Sequence, residues 1–293
     1  MRFLYKKYLP ASFLAICCLL FVSCDTNKES APAGDSTIHA AIVADTTQII
    51  AATTDSVPIA PYPDDSINPE AFIFNTTGYH GDEVPANIGS KKFYGLFQNA
   101  AGFYLDTTTV NTSIWYDPIV DDDSTKPTGI ELKTSNPDTN RLLISGIDYL
   151  KTGKITTANI TNLYHEPRAY THIKHGDSLR FVFEGKTYVL FATGYEKQHP
   201  DLPLEKQVFN YRLFISGLKK GQPVTQLLTA QPQFDDAQIE ILFCGDIDGD
   251  HLPDFIIDTT NHYNVFQPTL YLSGKAGANQ LLKMVAKHTS VGC

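Results

Sequence analysis

The 293-residue sequence predicts an all-β protein, mainly antiparallel sheets with a few short helices. Three observations carry that expectation. From residue 70 onward the chain breaks into short aromatic and β-branched runs between Gly-containing turns, which is the composition of strands. One stretch, 178–191, is a complete hairpin signal. Helical periodicity, in contrast, is confined to two short candidates, 224–228 and 278–285.

In chain order, residues 1–23 carry the features of an export signal. Arg2, Lys6 and Lys7 form a charged start, and residues 9–22 are almost wholly apolar. The signal ends at Phe21-Val22-Ser23-Cys24, which resembles a bacterial lipobox. That resemblance implies that Cys24 becomes the first mature residue and carries the lipid, while an incidental Cys in an ordinary signal is the plainer alternative. Residues 24–69 follow as a Ser/Thr/Asp/Pro tether, with Tyr62 the only aromatic residue and Lys28 the only Lys or Arg. Such a stretch buries too little apolar surface to offset its ordering entropy. Within it Asp35-Ser36-Thr37, Asp45-Thr46-Thr47, Asp55-Ser56-Val57 and Asp65-Ser66-Ile67 recur every ten residues. Each resembles the Asp-Ser/Thr acceptor that Bacteroidetes use for O-glycosylation of exported proteins.

The globular region is 70–293, one or two closely packed β domains with enough chain for a proper core. Short strands are expected at 72–74, 93–97, 102–105, 113–116, 130–132, 141–144 and 147–149. Between them, Asp121-Asp122-Asp123-Ser124 reads as a solvated acidic loop. The clearest hairpin runs from Ser178 to Phe183, turns at Glu184-Gly185 and returns from Lys186 to Phe191. Leu179, Phe181 and Phe183 alternate, so one face of its first strand belongs to the core. Strands are also expected at 211–215 and 269–272.

The chemistry of the chain is concentrated at residues 245–257. Asp246, Asp248, Asp250 and Asp254 occupy positions 1, 3, 5 and 9 of a loop, with the backbone carbonyl of Leu252 at position 7. These are hard oxygen ligands of the kind Ca²⁺ takes six to eight of. Four carboxylates in nine residues repel one another at neutral pH, which favours a bound divalent cation. The apolar β-branched and aromatic flanks, 239–244 and 255–257, place the loop between two strands.

This pattern resembles the calcium loop of the FG-GAP, or integrin-like, blade. An EF-hand is a poorer fit, because position 12 is Ile257 rather than a bidentate Glu. His251 stands where the family usually has Gly, so the loop asks it to adopt a positive φ. Only one copy of the motif is present, so no full propeller is expected. The plain role is a metal staple that holds the hairpin in shape, and calcium gating of ligand binding is the alternative. Just beyond the hairpin, His262 and Asn264 are candidates for ligand contact or for supporting the ion's ligands, against the simpler reading of an Asn-rich turn.

Cys244 and Cys293 remain once the signal and the lipidated Cys24 are set aside. In an exported protein they are a disulfide candidate, which on the chain-entropy model stabilises by about 4 kcal/mol, against two free thiols. His165-Glu166, His172 and His175 fall close together, but Pro167 interrupts any helix through them and the spacing is not that of a zinc protease. They read as incidental surface histidines. No Gly-x-Ser-x-Gly elbow and no phosphate-cradling Gly loop occurs. Carboxylate pairs for glycoside hydrolysis need only meet in space, so the sequence leaves them open.

The net charge is −9, and loss of Arg2, Lys6 and Lys7 takes it to −12. Nucleic acid is therefore excluded as a natural partner. The expectation is a Bacteroidetes-type outer-membrane lipoprotein, held to the membrane by its lipid, whose Ca²⁺-stabilised head binds a glycan, peptide or protein. Trp115, Tyr116, Tyr263 and Tyr271 are its candidate contact aromatics. A periplasmic or surface hydrolase and a structural subunit of an envelope complex are the alternatives.

Overall fold

The computed structural model describes residues 67–158, 160, 172–199, 206–235 and 237–292. The signal, Cys24, nearly all of the tether, His165, Glu166 and Cys293 lie outside the described residues. In chain order the strands are β1 (Phe72–Phe74), β2 (Gly78–Tyr79), β3 (Phe93–Asn99), β4 (Gly102–Thr108), β5 (Val110–Trp115), β6 (Gly129–Thr134), β7 (Thr139–Ser145) and β8 (Gly153–Lys154). They continue as β9 (Ser178–Phe183), β10 (Lys186–Gln198), β11 (Lys206–Lys219), β12 (Gln222–Gln233) and β13 (Glu240–Gly245). The last five are β14 (Asp254–Asp258), β15 (Val265–Phe266), β16 (Pro268–Leu272), β17 (Lys283–Lys287) and β18 (Ser290–Val291). The protein is all-β, with several antiparallel sheets and no closed barrel.

Four sheets make the body, ordered β2-β6-β5, β1-β7-β3-β4-β8, β13-β14-β16-β17 and β12-β11-β10-β9. They stack in that order, because each neighbouring pair shares a core. Phe74, Phe93 and Leu143 meet Val110 and Leu132 between the first two sheets. Tyr94, Leu96, Leu142 and Ile144 meet Ile256, Leu270 and Leu272 between the second and third. Phe255, Ile257 and Tyr271 meet Phe181, Leu190, Leu213 and Ile215 between the third and fourth. The third sheet is therefore covered on both faces, which is why β14 and β16 are buried at every position. Truncating Phe255, which is 0% exposed, would cost about 3–5 kcal/mol.

The hairpin read from the sequence is present residue for residue. β9 alternates exposed and buried, and Glu184 and Gly185 turn with φ of +45° and +76°, the paired positive values of a two-residue turn matched to strand twist. Three local expectations fail. Residues 224–228 lie in β12, not a helix, because the four-residue spacing of Val224 and Leu228 is even and fits one strand face as well as one helix face. Residues 278–285 are not a helix either: 278–282 are an irregular lead, where Gln226 Oε1 accepts the Leu281 and Leu282 N–H groups at 2.7 and 3.0 Å, and 283–285 begin β17. Residues 147–149 form a turn rather than a strand. The one helical turn among the described residues is the 3-10 turn Ile88–Ser90.

Candidate metal site

The candidate loop joins β13 to β14 and is closed by the pairing of Gly245 with Asp254. Its path needs two left-handed residues, Gly249 at φ +79° and His251 at φ +65°. The positive φ that the motif asks of His251 is thus adopted, and its Nδ1 lies 3.2 Å from Glu184 Oε2 on the β9–β10 turn.

Within the loop the carboxylates have different duties. Asp254 is fully buried. Its Oδ2 accepts the N–H groups of Ile247 and Asp248 at 2.6 and 3.1 Å, and its Oδ1 accepts the N–H and the hydroxyl of Ser273 at 2.7 and 2.9 Å. Three backbone N–H groups and a share of the Ser273 hydroxyl converge on it, so Asp254 is first the hub around which the loop is wound. Asp246 accepts from Gly249 and Asp250 on Oδ1 and from His251 on Oδ2. Asp250 Oδ1 accepts from Leu252 N and competes with Asp254 Oδ1 for the single Ser273 hydroxyl proton, each oxygen lying 2.9 Å from Oγ. Asp248 differs from the others. Its Oδ2 accepts the Gly274 N–H at 3.1 Å, while its Oδ1 is buried without a hydrogen-bond partner.

One carboxylate oxygen each from Asp246, Asp248 and Asp254 lie within 4.8 Å of one another. Asp250, expected at position 5, is not part of that trio, and its Oδ1 is turned toward Ser273. Burial, then the charges of Asp250 and Asp246, push the Asp248 carboxyl up to about 6. Burial, then Asp248, also raise Asp254, against the pull of its Ser273 and Asp248 donors. Such mutual resistance to ionisation is what a divalent cation relieves. Hard carboxylate oxygens, with the Leu252 carbonyl as an expected addition, suit Ca²⁺.

No family model, no curated protein and no solved structure matches the chain. The site must be read on its own chemistry.

Several supporting residues carry no local signal in the sequence. Ser273 and Gly274 follow β16, and they reach the loop because β16 pairs beside β14. A Cβ on Gly274 would sit 2.6 Å from Asp248 Oδ2, so only glycine allows that approach. From the 147–149 turn, Tyr149 comes close enough that burial, then Asp248 and Asp254, push its hydroxyl up to about 12. Lys275 Nζ lies 4.1 Å from the centre of its ring.

Other candidates lie elsewhere. His262 and Asn264 follow the far end of β14, about 14 Å or more from Asp254 at strand rise, and His262 Nε2 faces Asp235 at 3.1 Å. The extended strand carries them away from the loop that the sequence reading placed them beside. Cys244 is buried in the core beneath the loop, and its pairing with Cys293 lies outside the described residues. His172 and His175 lie near Glu240 and Glu196, at 3.9 and 3.6 Å, and join no metal-competent group among the described residues. Tyr271 is core, its hydroxyl donating to the Leu228 carbonyl, and Trp115 packs against Gly78 and Gly129. Tyr116 and Tyr263 are exposed, so the four aromatics do not share one exposed face. The acidic loop at 121–124 is only partly solvated, because Asp121 is buried and accepts from Asp117 N, Thr128 N and Thr128 Oγ1.

Proposed function

We propose that this protein is an envelope-anchored binding or interaction module whose β-rich head is stapled by Ca²⁺ at Asp246, Asp248 and Asp254, with Asp250 and the Leu252 carbonyl nearby. The observation that carries the metal reading is Asp248 Oδ1, a buried carboxylate oxygen with no hydrogen-bond donor, beside two further carboxylates. Leaving a buried charged acceptor unsatisfied costs several kcal/mol, and a cation answers it where no side chain does. The lipobox-like Phe21-Val22-Ser23-Cys24 supports the lipid anchor, and the acidic charge supports a ligand other than nucleic acid.

The test is the unfolding temperature of the chain with Ca²⁺, with excess EDTA, and with Asp248→Ala. Calcium is expected to raise it by several degrees in the parent and not in the variant, since ligand bound to the native state adds RT ln(1 + [L]/Kd). Coincident unfolding in all three would remove the metal from the proposal.

A second reading, a hydrolase, draws on a cleft of about 330 Å³ lined by His175, Glu196, His199, Lys206 and Asp235. There Lys206 pairs with Glu196 at 2.9 Å and holds its carboxyl below the usual range, with His175 on the other oxygen. Hydrolysis of chromogenic esters or glycosides that His175→Asn abolishes would favour this reading. No turnover would leave the binding module.

A further inference from the structure

Where the third and fourth sheets part, the space between them stops being core. Leu228 and Tyr271 belong to the apolar core that the two sheets share, and Met284 packs against it. Beyond them a cleft of about 400 Å³ opens between β12 and the ends of β14, β16 and β17. That volume lies within the range of small-molecule sites, about 300–1,000 Å³. A space between packed sheets is normally filled by interdigitating apolar side chains. Here much of the wall is neutral amide and hydroxyl instead, from Thr229, Gln231, Thr259, Asn261 and Gln267.

These groups are held in place and only partly engaged. Gln231 Nε2 donates to the Thr259 carbonyl at 2.6 Å, and Asn261 Nδ2 donates to the Gln233 carbonyl at 3.2 Å. Gln267 is held at both ends, with Oε1 3.0 Å from Thr259 Oγ1 and Nε2 donating to Thr289 Oγ1 at 2.9 Å. The Gln231 and Asn261 amides each keep an oxygen and one N–H for a ligand. Gln231 Oε1, Asn261 Oδ1 and the Thr229 hydroxyl have no hydrogen-bond partner among the described residues.

Such a wall selects a ligand by its protons. An amide oxygen needs a donor, so a carboxylate or phosphate would set lone pair against lone pair at Gln231 Oε1 and Asn261 Oδ1. A cation would find no carboxylate among the described residues of the lining, where Lys287 is the one charged side chain. A peptide would dock by main-chain pairing, but on the β12 wall Pro232 has no N–H and the Leu228 carbonyl is taken by the Tyr271 hydroxyl. What fits is a neutral molecule dense in hydroxyl groups, each of which donates and accepts, with an apolar face for the floor at Tyr271 and Met284. Adjacent hydroxyls of a sugar ring match the oxygen and N–H that each amide keeps.

We infer that this cleft binds a neutral sugar unit of a glycan through Thr229, Gln231 and Asn261, which rests on the reading of the protein as a binding module and gives that module a ligand class. The calcium loop takes no part, because it lies at the opposite end of β14.

The test is calorimetric titration of the calcium-loaded full chain with neutral trisaccharides of glucose, mannose, galactose, xylose and N-acetylglucosamine, beside a galacturonate trisaccharide and trialanine, each at millimolar concentration. At least one neutral sugar is expected to bind. Gln231→Leu and Asn261→Ala are each expected to weaken it about tenfold, as the loss of a ligand hydrogen bond does, and half-buried Asn261 is expected to do so without lowering the unfolding temperature. Binding of no neutral sugar, binding of the uronate or the peptide alone, or a sugar held as tightly by both variants as by the parent would each overturn the inference. Cleavage of the bound sugar would instead overturn the binding-module reading and leave the ligand class of the cleft standing. A calcium-dependent unfolding shift in a chain that binds no sugar would sink the cleft and keep the calcium staple.

Discussion

Two acidic loops of this protein each bury aspartate, and they resolve the charge of their most buried carboxylate in opposite ways. Asp117, 1% exposed, lies at the start of the β5–β6 connection, and Asp254, 0% exposed, closes the β13–β14 loop. Burial works to raise the Asp117 carboxyl, but the hydrogen bond with His80 Nδ1 and the N–H groups of Ile119 and Val120 outweigh it and leave it below its ordinary value. Asp254 has its donors too, yet it faces Asp248, and both of those carboxyls are raised. The first loop has an imidazole, His80, against its buried carboxylate, whereas among the described residues only N–H and hydroxyl groups hydrogen-bond the carboxylates of the second. Acidic composition alone therefore does not mark a metal site. The sign of the neighbouring charge does.

The comparison breaks most severely at its two hubs. Asp254→Ala strands the N–H groups of Ile247, Asp248 and Ser273 and is expected to cost about 3 kcal/mol in EDTA and more in calcium, where a ligand is lost as well, by denaturant titration. Asp117→Ala is expected to cost about 2 kcal/mol, and the same amount in EDTA as in calcium, because His80 rather than an ion answers that charge. An EDTA-dependent loss at Asp117 would mean that the two loops are not distinct.

A finer test uses Gly274→Ala. The new methyl group would crowd the Asp248 and Asp250 carboxylates, at 2.6 and 3.3 Å, without requiring a left-handed backbone. Calcium affinity is expected to fall about tenfold, the lower end of what supporting groups around a metal contribute, with little change in stability under EDTA. Unchanged affinity by calorimetry would separate Gly274 from the metal site.

What the sequence disclosed of these loops follows from how far apart the participants lie. The Asp246–Asp254 loop was legible because its carboxylates are nearly contiguous, and so was the 178–191 hairpin, whose alternation and turn sit within fourteen residues. Ser273 and Gly274 were not legible, because only the pairing of β14 with β16 brings them to Asp254 and Asp248. His80 and Asp117 are 37 positions apart and meet across the β2–β6–β5 sheet, so Asp121 beside them was mistaken for a solvated acid. Periodicity failed where an even spacing serves both helix and strand, as at Val224 and Leu228.

The smallest effect is the one that distinguishes the loops by sign. A carboxyl raised in the folded state resists ionisation there, so its contribution to stability falls as pH rises from the unfolded value near 4 through the folded value. For Asp248, raised to about 6, this means that the chain in EDTA gains stability through this residue on going from pH 7 to pH 5, by about 1 kcal/mol after allowance for its partial exposure. The His80–Asp117 pair behaves otherwise. His80 is raised, chiefly by its Asp117 hydrogen bond, and contributes fully below about 6.5, while depressed Asp117 contributes fully above about 4, so between those limits acidification costs the pair nothing. Buried His288, pulled down to about 4 by desolvation, opposes the trend by destabilising the fold as the unfolded chain protonates below pH 6.5. The measurement must therefore be a difference, parent against Asp248→Asn, at pH 7 and at pH 5. In EDTA the parent is expected to gain on the variant as pH falls. In saturating calcium, which holds the ionised form, the order is expected to reverse, and a difference indifferent to calcium would show that Asp248 is not a ligand.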